Sequence, residues 1–241
     1  AFTGAAQTHT RAKAALLRVA EVLDAPQIGV GDSPTAGGSQ EEPSLVIEKL
    51  VVGWPGGKLV LSEVSLSVAA GESVAIVGRS GIGKTTLAAT VMGLIPPLGG
   101  TVKTTGRVRY LAQNAHVFAT SISENVRIGC KEATESEVLA ALDRAGLSMP
   151  PGRVIAEDGG TLSGGEAQRL ALARVLVSHD ATVDPAAHDL LILDEPTEHL
   201  DVETSEALMD DLWATTTNAA KVVITHDPLV MARCDRVWRI G

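Results

Sequence analysis

An α/β fold with a mainly parallel core sheet is the class this sequence predicts, and three stretches carry the prediction. The apolar run Val74-Ala75-Ile76-Val77 leads into Gly78-Arg79-Ser80-Gly81-Ile82-Gly83-Lys84-Thr85-Thr86, and Leu87-Ala88-Ala89-Thr90-Val91-Met92 then favours helix. Leu190-Leu191-Ile192-Leu193 is a second apolar run, ending in Asp194-Glu195, and Val222-Val223-Ile224-Thr225 a third, ending in His226-Asp227. Short apolar runs bounded in this way read as buried strands, and ligands of open α/β sheets gather at the strands' carboxyl ends. Each run has its polar residues at that end.

The loop at 78–86 has the composition of a phosphate cradle. Its glycines let the backbone curl so that successive N–H groups point inward, and the following helix adds its positive dipole end. Lys84 supplies a point charge and Thr85 a hydroxyl for Mg2+. The plainer alternative is a glycine-rich turn. Asp194 and Glu195, adjacent at a strand end, would point in different directions, one toward a metal-bound water and the other toward an attacking water. An imidazole at His226 would stand at the same edge.

Bulk properties narrow the field. A formal charge of -9 and a pI near 5.1 provide no basic stripe for a phosphodiester backbone, which argues against nucleic acid as a partner. Cys130 and Cys234 are far apart and in no metal-ligand spacing, as expected of ordinary thiols. No run approaches the roughly 18 apolar residues of a membrane span. The chain begins at Ala1 without methionine and stops just after a strand-like segment, which points to a piece of a longer protein.

In chain order, residues 8–24 carry helical periodicity, with Leu16, Val19, Ala20 and Leu23 on one face. Residues 26–43, rich in Gly, Pro, Ser and Asp, read as a flexible linker. Leu45-Val46-Ile47 resumes folded chain, and in 60–68 Val64, Leu66 and Val68 alternate with Glu63, Ser65 and Ser67 in the period of a half-buried strand. Trp54, in Gly53-Trp54-Pro55-Gly56-Gly57, would present its ring in a loop as a stacking platform, although Trp is most often core; Trp213 and Trp238 are assigned to the core. Residues 107–111 read as a strand ending near Gln113, whose amide could reach a metal or a water. Residues 123–128 and 134–145 predict helices of an inserted subdomain, the second opened by a Thr134/Glu137 capping box. Thr161-Leu162-Ser163-Gly164-Gly165-Glu166 precedes a strongly helical run and makes a second anion-ready helix start, with the Ser163 hydroxyl as an extra donor, or else an ordinary capped helix. Residues 179–189 read as a surface loop.

Together these residues resemble the nucleotide-binding domain of ATP-binding-cassette transporters over about residues 45–241. The phosphate loop, Gln113, the Leu162-Ser163-Gly164-Gly165-Glu166 signature, the strand ending in Asp194-Glu195, Glu198-His199-Leu200-Asp201 and His226 occur in the family's order. The resemblance implies a P-loop NTPase of ABC ATPase type, with a mainly parallel core sheet, an antiparallel β subdomain and a helical subdomain at about 114–178. It implies that the cofactors are ATP and Mg2+. It makes Glu195 the catalytic base, with His226, Gln113 and Lys84 in catalysis and Thr85, Gln113 and Asp194 at the metal. Nucleotide contacts would come from Trp54 on adenine and from residues 78–86. Ser163, Gly164, Gly165 and Asp201 would serve ATP held by a second nucleotide-binding domain.

Residues 1–25 look like the cytoplasmic end of a last transmembrane helix in fused exporters, which implies a transmembrane domain in the parent chain and a place at the cytoplasmic face of the bacterial plasma membrane. Residues 113–125 and 194–201 look most like the CydC-type half of the CydDC exporter. That resemblance implies a different, CydD-like partner half and export of cysteine and glutathione in support of cytochrome bd assembly. A lipid or multidrug exporter is the alternative. A soluble cassette ATPase acting on nucleic acid or ribosomes is disfavoured by the acidic balance. The signature's Glu166, where many members have Gln, and the short stretch 146–160 depart from the family pattern.

Overall fold

A computed structural model describes residues 13, 15–20, 43–113, 116–156, 162–177, 189–198 and 200–241. Residues 15–20 are helical (α1) and expose Leu16, Leu17 and Val19, at 69%, 61% and 55%. Among the described residues nothing covers the expected apolar face of this helix. The rest of the expected helix and the linker over 26–42 lie outside the described residues.

Two sheets form the frame. β1 (Leu45–Gly53) pairs antiparallel with β2 (Leu59–Val68) and with β4 (Gly99–Thr104), in the order β2-β1-β4. β2 keeps the predicted alternation, burying Val64, Leu66 and Val68 and exposing Ser65 and Ser67. The larger sheet runs β5-β6-β7-β3-β8, from β5 (Val108–Leu111) through β6 (Leu190–Asp194), β7 (Ala220–Ile224) and β3 (Ser73–Val77) to β8 (Arg236–Arg239). Every neighbouring pair in it is parallel.

Alternation along its strands divides the core into two layers. Leu190 and Ile192 face α2 (Lys84–Val91) and the antiparallel sheet, while Leu191 and Leu193 face the helices on the other side. These helices are α3 (Ile122–Arg127), α4 (Glu135–Arg144), α5 (Gly164–Leu176) and α6 (Val202–Thr215), and a short α7 (Pro228–Ala232) follows β7. The Thr134/Glu137 capping box opens α4. α3, α4 and α5 fall within the expected insert, but their apolar residues form one cluster with Leu208, Leu212, Leu191 and Leu193. The insert shares a core with the sheet, because α5 packs one flank on the inserted helices and the other on the strands.

Charged side chains are built into this core. Arg109 bonds Asp189 at 2.7 Å and donates to the carbonyls of Val175 and Val177, tying the end of α5 to the start of β6. Of the surface loop expected at 179–189, residues 179–188 lie outside the described residues, and its last residue, Asp189, is not at the surface: it is 6% exposed because Arg109 holds its carboxylate in the core. Lys221, 2% exposed within β7, donates its ammonium to the carbonyls of Thr216 and Ala219, 5.7 Å from the Trp213 ring. Those carbonyls follow α6 and offset the cost of burying the charge. Trp213 and Trp238 are partly buried against the two core layers, as expected. Among the described residues no helix is long and apolar enough to cross a membrane.

Candidate functional site

The fully buried β3 delivers the chain to the phosphate loop at the carboxyl edge of the large sheet. Gly83, the residue before α2, has φ 113°, and a Cβ there would stand 2.2 Å from Val60 Cγ1. Only glycine fits a left-handed position this close to β2. No side chain caps α2, so its first-turn N–H groups are left for a ligand. Lys84 Nζ donates to the carbonyls of Gly78 and Arg79 at 2.9 and 3.2 Å, which folds the charge over the loop. Arg79 and Ser80 are exposed, and Ile82 packs on the antiparallel-sheet side of the core.

Ser80, Gly81, Gly83, Lys84, Thr85, Thr86, Gln113, Asp194 and Glu195 line a cavity of about 230 Å3. The phosphate loop, the end of the β5 segment and the end of β6 thus converge as the sequence led one to expect. Asp194, 3% exposed, accepts at Oδ2 from Thr85 Oγ1 and from the Tyr110 hydroxyl, each at 3.0 Å. Burial raises its pKa, and the two hydrogen bonds oppose that shift. Tyr110 is raised in turn by its own burial and by the neighbouring carboxylate.

Glu195 turns the other way, its φ of 47° placing the backbone in the left-handed region. Its Oε2 lies 3.0 Å from His226 Nδ1, and this contact raises the imidazole's pKa. The Gln113 amide donates to Glu198. Trp54 stands in the β1–β2 turn, 57% exposed and closed by the Gly57 N–H on the Trp54 carbonyl; it is not among the residues lining the cavity.

Ser163, Gly164, Gly165 and Asp201 lie elsewhere. With Glu166, Arg169, Leu200 and Thr204 they line a separate cavity of about 490 Å3. Of the two readings of the Ser163 segment, the capped helix is formed: the Ser163 hydroxyl accepts from the Glu166 N–H, which leaves its own proton to donate, while the Glu166 carboxylate accepts from the Ser163 N–H, a closed capping box. The Ser163 N–H bond is the main reason the Glu166 pKa is lowered. Asp201 caps α6 through the Thr204 N–H and hydroxyl. A Cβ on Gly165 would meet Thr204 at 3.0 Å, whereas one on Gly164 would meet nothing within 4 Å.

Sequence reasoning missed three participants. Tyr110 and Glu198 reach Asp194 and Gln113 only through tertiary contact. Arg174, on α5, donates to Asn125 and to the His116 carbonyl and sits 5.6 Å from the Phe118 ring, joining the segment after Gln113 to the signature helix. An arginine within the otherwise apolar run Leu170-Ala171-Leu172-Ala173-Arg174-Val175-Leu176 was its only trace in the sequence.

A family model described as ABC transporter matches residues 61–198. A probable ABC transporter ATP-binding/permease protein of Haemophilus influenzae is 33% identical over 76% of this chain and 35% of its own length. The glutathione/L-cysteine transport system ATP-binding/permease protein CydD of Bacillus subtilis is 31% identical over 85% of this chain and 38% of its own. The mycobactin import ATP-binding/permease protein IrtB of Mycolicibacterium smegmatis is 32% identical over 91% and 40%. A bacterial Atm1-family ABC exporter with ATP bound superposes with a TM-score of 0.77 at 26% identity, over 95% of this chain and 43% of that one. The chain spans between a third and two fifths of the length of these curated relatives. With its phosphate loop, signature helix and acidic strand end arranged as described, the chain belongs to the ABC transporter family of ATP-hydrolysing transport ATPases, as an ATP-binding domain.

Proposed function

We propose that this domain powers a bacterial exporter half from the cytoplasmic face of the plasma membrane, hydrolysing ATP in a site completed by a second ABC nucleotide-binding domain. The observation that carries the proposal is the separation of the two cavities. The phosphate-loop cavity and the signature cavity have no lining residue in common. In this reading the signature serves nucleotide held by a loop on another chain. ATP binding favours the closed pair and hydrolysis the open one, a difference in state that can drive transport.

In this reading Lys84 exchanges its loop carbonyls for ATP phosphates, and Trp54 stacks on adenine. Glu195, with one oxygen on His226, receives the proton of the attacking water through the other. Thr85, Asp194 and Gln113 suit Mg2+, because they offer hard oxygen donors beside the phosphate loop and only one carboxylate, as Mg2+ sites shared with phosphates do. The ion would neutralise charge on the phosphates. Ser163→Arg tests the composite site: turnover with the partner should stop while ATP binding to this chain's own loop persists. Loss of that binding would mean the signature acts on its own loop.

Thiol export, with a CydD-like partner half and a role in cytochrome bd assembly, is the cargo reading supported by the CydC-type sequence features and by the name of the Bacillus relative. Relatives of similar identity carry names for other cargoes. ATP-driven uptake of labelled cysteine and glutathione into inside-out vesicles of the full transporter decides the matter. Uptake should vanish in Glu195→Gln, and ATPase activity without thiol movement would turn the reading to lipids or drugs.

A further inference from the structure

We propose that Tyr110 is a positioning residue for the metal site: its hydroxyl holds one oxygen of Asp194 so that the other faces the ion. The inference rests on the reading of Asp194 as the Mg2+ carboxylate. It starts from strand register. β5 and β6 run parallel with Tyr110 beside Ile192. Side chains alternate along a strand, so Tyr110, Ile192 and Asp194 lie on one face of the sheet, the face covered by α2. Asp194 is two residues beyond Ile192, about 6 to 7 Å along the strand. A side chain from position 110 must be long to cover that distance and must end in a donor to be of use there. Tyrosine meets both requirements, and its hydroxyl lies 3.0 Å from Asp194 Oδ2.

The second donor to the same oxygen is Thr85, itself an expected metal ligand. Both hydrogen bonds converge on Oδ2, which assigns Oδ1 to the metal or its water. Thr85 alone would be a weak guide, because it sits on the phosphate loop's helix and answers to whatever occupies that loop. Tyr110 approaches from β5, independent of the loop, and so fixes the carboxylate before nucleotide arrives. Asp194 is 3% exposed, so water cannot readily replace a lost donor.

The chain contains one tyrosine, which makes the test direct. Binding of a non-hydrolysable ATP analogue to the intact chain is measured without metal and across a Mg2+ titration. Tyr110→Phe should leave metal-free binding unchanged and raise the Mg2+ concentration for half-maximal effect about tenfold, equivalent to about 1.4 kcal/mol. An unchanged Mg2+ midpoint, whatever happens to thermal stability, would overturn the inference and leave Tyr110 a structural residue. Fluorotyrosine incorporation gives a second measurement that needs no substitution. The single fluorine resonance should move when Mg2+ is added to the nucleotide-bound protein, and a resonance indifferent to Mg2+ would overturn the proposal as well. Asp194→Asn separates the two levels of the reading. If it shifts the Mg2+ midpoint and Tyr110→Phe does not, the Tyr110 inference alone falls; if Asp194→Asn has no effect, the metal reading and this inference fall together.

Discussion

Two helices of this domain begin at glycine-rich turns, and their ends are finished in opposite ways. α2 starts behind a left-handed Gly83 with no side-chain cap, so its first-turn donors are left open beside Lys84. α5 starts behind Ser163 with a closed capping box, so the Glu166 carboxylate already occupies part of its N-terminus. Both ends carry the same helix dipole. α2 leaves its first-turn donors open in the phosphate-loop cavity, whereas α5 has its Glu166 N–H taken up by its own cap and presents that start to a separate cavity. The difference teaches that glycines at a helix start do not by themselves specify an anion site, because the cap residues around them decide which donors are taken.

The sharpest way to break this comparison is at the chemistry on the α2 side. Glu195→Gln should lower ATP turnover by about 10²- to 10⁴-fold while binding persists, and should trap an ATP-bound pair. Phosphate release with parallel size-exclusion chromatography reads both, and unchanged turnover would remove Glu195 from the base role.

Matched glycine substitutions come next. Gly83→Ala places a Cβ against Val60 at φ 113° and should cost on the order of 1–3 kcal/mol with loss of ATP binding. Gly164→Ala enters open space and should leave folding and the chain's own ATP binding intact, with a fall only in partner-dependent turnover. Denaturant unfolding and nucleotide titration separate the two, and equal losses would erase the distinction between the helix starts.

Ser163→Ala removes the α5 cap and should cost about 1 kcal/mol in denaturant unfolding, without weakening ATP binding to the phosphate loop.

The smallest effect concerns pH. Glu195 holds the His226 pKa above its ordinary 6.5, so the stabilisation from this pair is full below that value and is lost as pH rises through the raised pKa. NMR titration should show the imidazole returning toward its ordinary value in Glu195→Gln. A titration indifferent to that substitution would mean that the contact is absent in solution.

Much of this was legible in the residues because the information is local. A phosphate loop, a capping box and a four-residue apolar strand each occupy one short stretch, and backbone geometry acts over the same span. Thr134 and Glu137 declare a cap three residues apart, and the structure forms it. Ser163 and Glu166 have the same spacing, yet Glu166 drew attention only as a departure from the signature pattern. The expected roles of Gln113, Glu195 and His226 came from motif order, whereas Lys221 fell outside the strand read from 222 because a charge inside a buried run has no local explanation. Its partners are carbonyls beyond the end of α6 and the ring of Trp213.

Although β4 and α7 were not predicted from it, the sequence by itself determined the three buried strands of the core, the glycine-rich loop after the first of them and the polar residues that end each one. All of these follow from hydrophobic period, glycine placement and side-chain chemistry within a few positions. Tertiary structure alone decided that Tyr110 reaches Asp194, that Arg109 ties α5 to β6 and that the inserted helices share a core with the sheet. It also decided that the signature and the phosphate loop of one chain open into different cavities. The physical reason is register: which residues of parallel strands stand side by side is settled by packing the two faces of the sheet simultaneously, and no single stretch of chain contains that choice.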